Sequence, residues 1–407
     1  MKRNLRCFAA LSFGALVACG QQEPAVAPLA PPPAAAALPT APPVEAKKDA
    51  PKPVPLTAEQ KAKLYQEAWA AFNAKDFTQF KALYAESATS EQLDMGPPAV
   101  GANAVVEGGK AFTGGFPDGT GEIQLTLING NNIVGVVLMR GTQTGTFVTP
   151  MGPVPATGKK VGYLLTQSLE LNDEGKIVKE VMASDGGTVA GQLGLMPIPH
   201  RKLVETGWAE KPVVIASGSE VEKSNLAAMT KELEAFNKHD AAGTLGTADD
   251  KIVFSELSAP ADRIGKKESI KGVEDMWKAF PDAKLNVKSA WAAGDYVVAT
   301  GTWTGTNTGD SPAMKLKKTG KSVSIGFVQI DQFAGGKTSH VWVFSNGAAA
   351  AAQLGLMPPK GAQPTGKEAK PSAAKPATPA VAPTAKKAQP ALNAPAAAAP
   401  ITKPPTK

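Results

Sequence analysis

Asp185 closes a strand-like run, Ile177 to Ser184, and is followed by Gly186-Gly187. With a side-chain period of two, Val181, Ala183 and Asp185 share one strand face. If that face lines a pocket, small apolar groups flank the carboxylate. Desolvation would then raise its pKa and make it a usable general base near neutrality. A carboxylate before two glycines also fits a second role, capping the turn through local backbone hydrogen bonds. His340 shares a face with Trp342, Phe344 and Asn346. It either lines a second pocket or is a half-buried strand histidine bonded to backbone. Asn346 cannot ionise, so it cannot perform the acid/base step open to Asp185.

Other chemistries find less support. The chain has three histidines, the others being His200 and His239, and their scatter offers no metal-ligand spacing. Neither a metal nor a cofactor is expected. Ser217-Gly218-Ser219 follows no convincing strand and is not a nucleophile elbow. The pairs Gly114-Gly115, Gly186-Gly187 and Gly335-Gly336 read as turns, not as a phosphate cradle.

The elements that position these residues come twice. Gln192-Leu193-Gly194-Leu195-Met196-Pro197 recurs as Gln353-Leu354-Gly355-Leu356-Met357-Pro358. Phe72-Asn73 returns as Phe236-Asn237, Phe116-Pro117-Asp118 as Phe280-Pro281-Asp282, and Thr157-Gly158-Lys159 as Thr319-Gly320-Lys321. Gly141-Thr142-Gln143-Thr144-Gly145-Thr146 is matched to Gly301-Thr302-Trp303-Thr304-Gly305-Thr306. A period of about 160 residues exceeds the roughly 20–50 of solenoid units, so a globular domain is duplicated. Copy one opens with a capping-box pattern at Thr57-Ala58-Glu59-Gln60, and Leu64, Tyr65, Ala68, Trp69 and Phe72 follow at helical spacing. A second short helix carries Phe77, Phe80, Leu83 and Tyr84. The rest of each copy is strand-like, with hairpins predicted at Asn129-Gly130, at Gly294-Asp295 and across Asp173-Glu174-Gly175. Helices first and an antiparallel meander after is an α+β order. It predicts two tandem domains, each with N-terminal helices packed on a curved antiparallel sheet around an apolar pocket. Each copy, with its own helices and hairpins, is expected to fold by itself.

Domain boundaries follow composition. Lys2, Arg3 and Arg6 precede a short apolar run, Phe8 to Ala18, which fits a secretory signal. It ends Leu16-Val17-Ala18-Cys19-Gly20, which resembles a bacterial lipobox with Cys19 as the lipidated residue, the alternative being an ordinary signal peptide. Residues 1–18 are thus read as a lipoprotein signal peptide and 19–56 as a Pro/Ala-rich tether. Domain one spans 57–200, a polar linker 201–222 and domain two 223–358; 359–407 is a Pro/Ala/Lys-rich tail read as disordered. The tail carries eight lysines against Glu368, as much as the whole chain's net charge of +7. It has no aromatic residue, which argues against nucleic acid as a partner. A solvated tail and contact with anionic envelope polymers both fit it. Gly20 after Cys19 favours the periplasmic face of the outer membrane over the inner membrane.

Phe-Pro-Asp before a strand, Gly-Thr-x-Thr-Gly, Thr-Gly-Lys opening the next strand, and a last strand ending before Gln-Leu-Gly together resemble the SnoaL-like polyketide and ester cyclases. These have the nuclear transport factor 2-like cone fold, so the resemblance implies that the two tandem domains are cone-shaped. The resemblance covers roughly 59–197 and 225–358. It implies cofactor-free ring closure by an aldol step, with a carboxylate on the last strand as acid/base: Asp185 in copy one, replaced by Asn346 in copy two. Family members often carry His inside Gly-Thr-His-Thr-Gly, where this chain has Gln143 and Trp303. Gln143, Trp303, His340, Trp342 and Asn346 are the expected binding residues. The expected protein is a lipid-anchored envelope protein that binds a small hydrophobic or carbonyl-bearing molecule, with cyclase- or isomerase-type proton transfer by Asp185 in copy one. The competing reading is a non-catalytic interaction protein with vestigial pockets, its domains pairing with each other, with another copy of the chain or with an envelope partner.

Overall fold

A computed structural model describes residues 54–149, 152–196 and 199–357. The signal peptide, Cys19, nearly all of the tether and the basic tail lie outside the described residues.

Copy one begins with α1 (Ala58–Ala74), whose Thr57 and Gln60 form the expected capping box, and α2 (Phe77–Ala82), capped by Asp76. Then follow β1 (Tyr84–Gln92), β2 (Ala99–Val100), α3 (Ala102–Gly115), β3 (Thr120–Asn129), β4 (Asn132–Thr142), a small hairpin of β5 (Phe147–Thr149) and β6 (Gly152–Val154), β7 (Lys160–Leu171), β8 (Ile177–Ala183) and α4 (Gly186–Gln192). The segment between the copies contributes β9 (Val213–Ile215). Copy two repeats the order as α5 (Glu220–Asn237), α6 (Ala241–Thr244), β10 (Ala248–Glu256), β11 (Arg263–Ile264), α7 (Lys266–Ala279), β12 (Lys284–Ala293), β13 (Tyr296–Thr306), β14 (Ser322–Ala334), β15 (Lys337–Ser345) and α8 (Gly347–Gln353).

The fold is α+β, with a seven-stranded sheet, β2-β1-β8-β7-β4-β3-β9, and a six-stranded sheet, β11-β10-β15-β14-β13-β12. The predicted hairpins form, with Gly130, Gly175 and Gly294 at positive φ in their turns. The sheets are not pure meanders. β1 and β10, which hydrophobic periodicity did not reveal, pair parallel with β8 and β15. The linker is also structured, since β9 pairs parallel with β3.

The duplicated motifs are scaffold pins. The Asn73 and Asn237 amides each exchange two hydrogen bonds with a strand backbone, at Gly121 and Leu285. Asp118 and Asp282 accept the backbone N–H of Thr142 and Thr306, each at 2.6 Å. Gln192 and Gln353 clamp Gly162 and Ser324 in the same two-bond way. These pins correct one alignment: Gly141-Thr142-Gln143-Thr144-Gly145 corresponds to Gly305-Thr306-Asn307-Thr308-Gly309, not to the run around Trp303. Gln143 and Asn307 hold the same loop, accepting from Thr157 and Thr319 respectively.

Each sheet packs one face on its own helices. In copy one this core includes Tyr65, Trp69, Phe72, Ile133, Val137 and Leu165. The opposite faces pack on each other. Leu125, Leu127, Val134, Val136 and Ala183 of copy one share one cluster with Tyr296, Val298, Val328, Ile330, Trp342 and Phe344 of copy two. Full burial of such a side chain is worth about 1.5–3 kcal/mol. The copies therefore share a seam, which differs from the expectation of two self-sufficient units. The segment between them runs along this seam as a strap: Arg201 pairs with Asp262 at 2.7 Å and Trp208 stacks on Trp342 at 5.1 Å.

Candidate functional site

Inside the cone of copy one, α1 faces β4, β7 and β8 with side chains of mixed polarity. Trp69 Nε1 donates to Gln167 Oε1 at 3.0 Å. That bond orients the amide so that Gln167 Nε2 donates to Glu180 Oε1. Ser90 Oγ donates to Glu180 Oε2 at 2.7 Å, from the β1 position directly paired with Glu180. Glu180 is 2% exposed, and burial raises its carboxyl pKa despite these donors. The Tyr84 hydroxyl lies against Glu180, and that of Tyr65 is near enough to feel its charge. Both hydroxyls are buried without a hydrogen-bond partner. The raised pKa of Glu180 favours the protonated carboxyl and moves its proton exchange towards neutrality. Around it the rings of Tyr65 and Trp69 fill the cone, and glycines make room for them: a Cβ on Gly135 would lie 2.1 Å from the Tyr65 hydroxyl, and one on Gly121 2.1 Å from the Trp69 ring.

Copy two keeps Gln167, as Gln329, and replaces the rest of the constellation. By the pins and registers, Tyr65, Trp69, Tyr84, Ser90 and Glu180 correspond to Met229, Leu233, Ala248, Phe254 and Val341. Gly135 and Gly121 correspond to Ala299 and Leu285, so larger strand residues accompany smaller helix residues. Copy two has buried acids in another layer. Glu232 accepts from the Thr247 backbone N–H and hydroxyl at 2.7 Å each, and Asp331 accepts from Gln329 at 3.0 Å. Burial, and for Asp331 also the nearby Glu232, raises both carboxyl pKa values.

Asp185 lies elsewhere. It is the N-cap of α4 and accepts from the backbone N–H of Gly187 at 3.2 Å and Thr188 at 2.6 Å. It also accepts from Gly347 of copy two at 3.0 Å. Its strand face is turned to the seam, not to the cone, since Ala183 packs on copy two, and β8 carries a one-residue bulge upstream of it. Leu171 of β7 pairs with Ile177 but its neighbour Glu170 already with Lys179, so Ile177 and Glu180 both face the cone while Ala183 faces copy two. Beside Asp185 lies a cavity of about 40 Å³ walled also by Thr188, Arg201, Val204 and Leu257. That is room for about one water. Thr188 Oγ1 and Arg201 Nε, on its wall, lack hydrogen-bond partners. Burial raises the Asp185 pKa, opposed by the neighbouring Thr188 side chain and by its backbone donors. An open groove of about 390 Å³ near the strap is polar, with Arg140 on its wall paired to Glu122 at 2.6 Å.

The remaining predicted site residues separate. His340 and Trp342 stack at 3.7 Å on the seam face, and His340 Nε2 bonds the Ser255 hydroxyl at 2.9 Å rather than backbone. Burial pulls the His340 pKa down to about 4. Asn346 caps α8 by accepting from Ala349 and donates to the Leu93 carbonyl of copy one. Asp185 and Asn346 thus meet at the seam. Gln143 is fully buried and bonded on both amide ends to its own loop. Trp303 lies in the copy-two cone, edge-on to Phe280 at 5.0 Å. Glu180 and Gln167 escaped the sequence reading, although both interrupt strand-like apolar runs. A charged residue within such a run is the signal that marks a buried polar site. Among the described residues no group of three His, Cys, Asp or Glu side chains is placed to hold a metal ion.

The sequence model of the SnoaL-like polyketide cyclase family matches residues 60–193 and 227–354. No curated protein sequence matches the chain. Among solved structures, the chain is similar to AclR, a putative hydroxylase from Streptomyces galilaeus, at 28% identity over 34% of this chain and 99% of that one, with a TM-score of 0.30. It is also similar to a putative SnoaL-like polyketide cyclase from Jannaschia sp. CCS1, at 18% identity over 34% and 97%, TM-score 0.32. A third, IdmH, a putative polyketide cyclase from Streptomyces antibioticus, shares 19% identity over 32% and 98%, TM-score 0.28.

Proposed function

The chain belongs to the SnoaL-like polyketide cyclase family through both of its copies, and from that premise we propose that copy one binds a small carbonyl-bearing molecule in its cone, with Glu180 as the acid/base group. The observation that carries this reading is a buried carboxyl beside two buried hydroxyls without partners. Unpaired buried donors cost about 1–3 kcal/mol each, a loss that a ligand oxygen would recover. Copy two, with Val341 in the equivalent place, serves as the structural partner of the pair. Entry of a ligand requires the Tyr65 and Trp69 rings to move aside. Asp185 is committed to three backbone N–H groups and is a weaker candidate for proton transfer. Lipidation at Cys19 and residence in the bacterial envelope, on the outer membrane facing the periplasm, complete the proposal.

Solvent-deuterium exchange at the carbon between the carbonyls of aryl 1,3-diketones, followed by NMR, tests the chemistry. Wild-type protein should accelerate exchange, and Glu180→Gln should lose about 10²–10⁴ of that acceleration. Equal rates in the two proteins would reject Glu180 as the acid/base group. A second reading, a non-catalytic interaction protein, is favoured by one observation: aromatic rings already fill the cone. No exchange by wild-type protein, and no small molecule detected by native mass spectrometry after purification, would select it.

A further inference from the structure

The two short helices α4 and α8 meet N-terminus to N-terminus at the centre of the seam. The Asp185 carboxylate accepts from two N–H groups of its own helix and from Gly347 of the other at 3.0 Å. Reciprocally, a Cβ on Gly186 would lie 3.5 Å from Asn346 Oδ1, and one on Gly347 3.2 Å from Asp185 Oδ1. The two capping residues occupy equivalent positions, yet one ionises and the other does not. Asp185 is 5% and Asn346 4% exposed, so neither can turn its charge or dipole into water.

From this geometry we infer that Asp185 and Asn346 form a charge-asymmetric junction that restricts pairing of the two sheet faces to copy one with copy two. The partner for which the face of copy one is specific is thus a second domain of this kind with a neutral cap. If two copy-one faces met, as between neighbouring chains, the contact would be isologous and each residue at its centre would face itself. Asp185 would then oppose Asp185 in a buried site, where two carboxylates cannot both ionise without a large penalty. Two copy-two faces would bring Asn346 to Asn346, with no carboxylate to gather N–H groups from both helices. Only the mixed pair satisfies both helix ends with a single charge. The ionisable groups facing this junction are Arg201 of the strap, which shares a cavity wall with Asp185, and Asp94, beside the Leu93 carbonyl that Asn346 contacts. Asp94 is itself bonded to the Gly326 backbone N–H of copy two at 2.8 Å. Arg201 is paired with Asp262, so it does not offer a free counter-charge.

Three variants of the full chain test the junction by Tm between pH 4 and 8. Asn346→Asp should melt more than about 4 °C below wild type at pH 8, with the gap narrowing at pH 4 as one carboxyl of the pair becomes protonated. Asn346→Ser keeps a neutral cap and should show no such pH-dependent gap. The exchanged variant Asp185→Asn/Asn346→Asp restores one charge per junction and should return to the wild-type profile, even if Asn346→Asp alone does not fold. Light scattering should find wild type and the exchanged variant monomeric. The inference is overturned if Asn346→Asp follows the same pH profile as Asn346→Ser, or if the exchanged variant is no better than Asn346→Asp alone.

Discussion

Replacing Glu180 by glutamine should change stability in a pH-dependent way whose sign the structure dictates. The indole of Trp69 holds Gln167 Oε1, so Gln167 must present its Nε2 to residue 180. An amide at 180 can accept that bond with its oxygen and donate its own NH₂ to Ser90, whose hydroxyl switches from donor to acceptor. Both contacts survive, and at pH 4 the variant should lie within about 1 kcal/mol of wild type. Burial raises the folded pKa of Glu180 above its ordinary value of 4.5. For an acid so shifted, the contribution to stability is fully present below the unfolded pKa and is lost as pH rises towards the folded pKa. Wild type should therefore lose about 1.4 kcal/mol relative to Glu180→Gln for each pH unit above about 4.5, until the folded pKa is reached. Urea midpoints of both proteins at half-unit steps from pH 4 to 8 read this directly. A difference that is flat, or that favours wild type as pH rises, would show that the Ser90 and Gln167 donors outweigh desolvation.

Gly135→Ala should destabilise copy one by about 1–3 kcal/mol in urea, since its Cβ would lie 2.1 Å from the Tyr65 hydroxyl, whereas Ala299→Gly at the equivalent site should cost less. His340, with its pKa lowered from 6.5 to about 4, contributes stability that is present above pH 6.5 and lost as pH falls towards 4. The Tm of wild type should accordingly fall relative to His340→Phe over that interval, and parallel curves would contradict it. Cys19→Ser should abolish acylation and membrane retention, checked by intact-mass measurement and fractionation; full retention of the processed Ser variant would refute the anchor.

Much of the scaffold was legible because its signals are local. Capping boxes, two-residue turns with glycine, and repeated Asn, Asp and Gln pins each act over a few residues, so their spacing identifies them. β1 and β10 were not legible, since Tyr84-Ala85-Glu86-Ser87 and Ala248-Asp249-Asp250-Lys251 lack alternation, and their main pairings are with strands some 90 residues away. The site was misplaced for one physical reason. The period of two groups Val181, Ala183 and Asp185 correctly but does not say which face of β8 meets the cone, and the bulge between Ile177 and Lys179 puts Ile177 and Glu180 together on the other face. The face that carries Ala183 and Asp185, and that of His340, Trp342 and Asn346, turns to the seam, while Glu180 on the opposite face enters the cone. The Trp303 alignment failed for a similar reason, because Gly-Thr-x-Thr-Gly occurs in copy two at 301–305 and again at 305–309, and only hydrogen bonding distinguishes them.

The seam also has a timetable. Leu125, Leu127, Val134 and Val136 find their cover in residues that extend to Phe344. At about 5–20 residues per second, the chain between Leu125 and Phe344 takes roughly 10–45 s to synthesise. Throughout that interval copy one can complete its cone but carries a bare apolar sheet face, a condition that invites capture by the copy-two face of a neighbouring chain, whose neutral cap the junction accepts. The period of greatest danger for this molecule is thus its own production. A slower ribosome, or a pause between the copies, should raise aggregation without altering the stability of the finished protein.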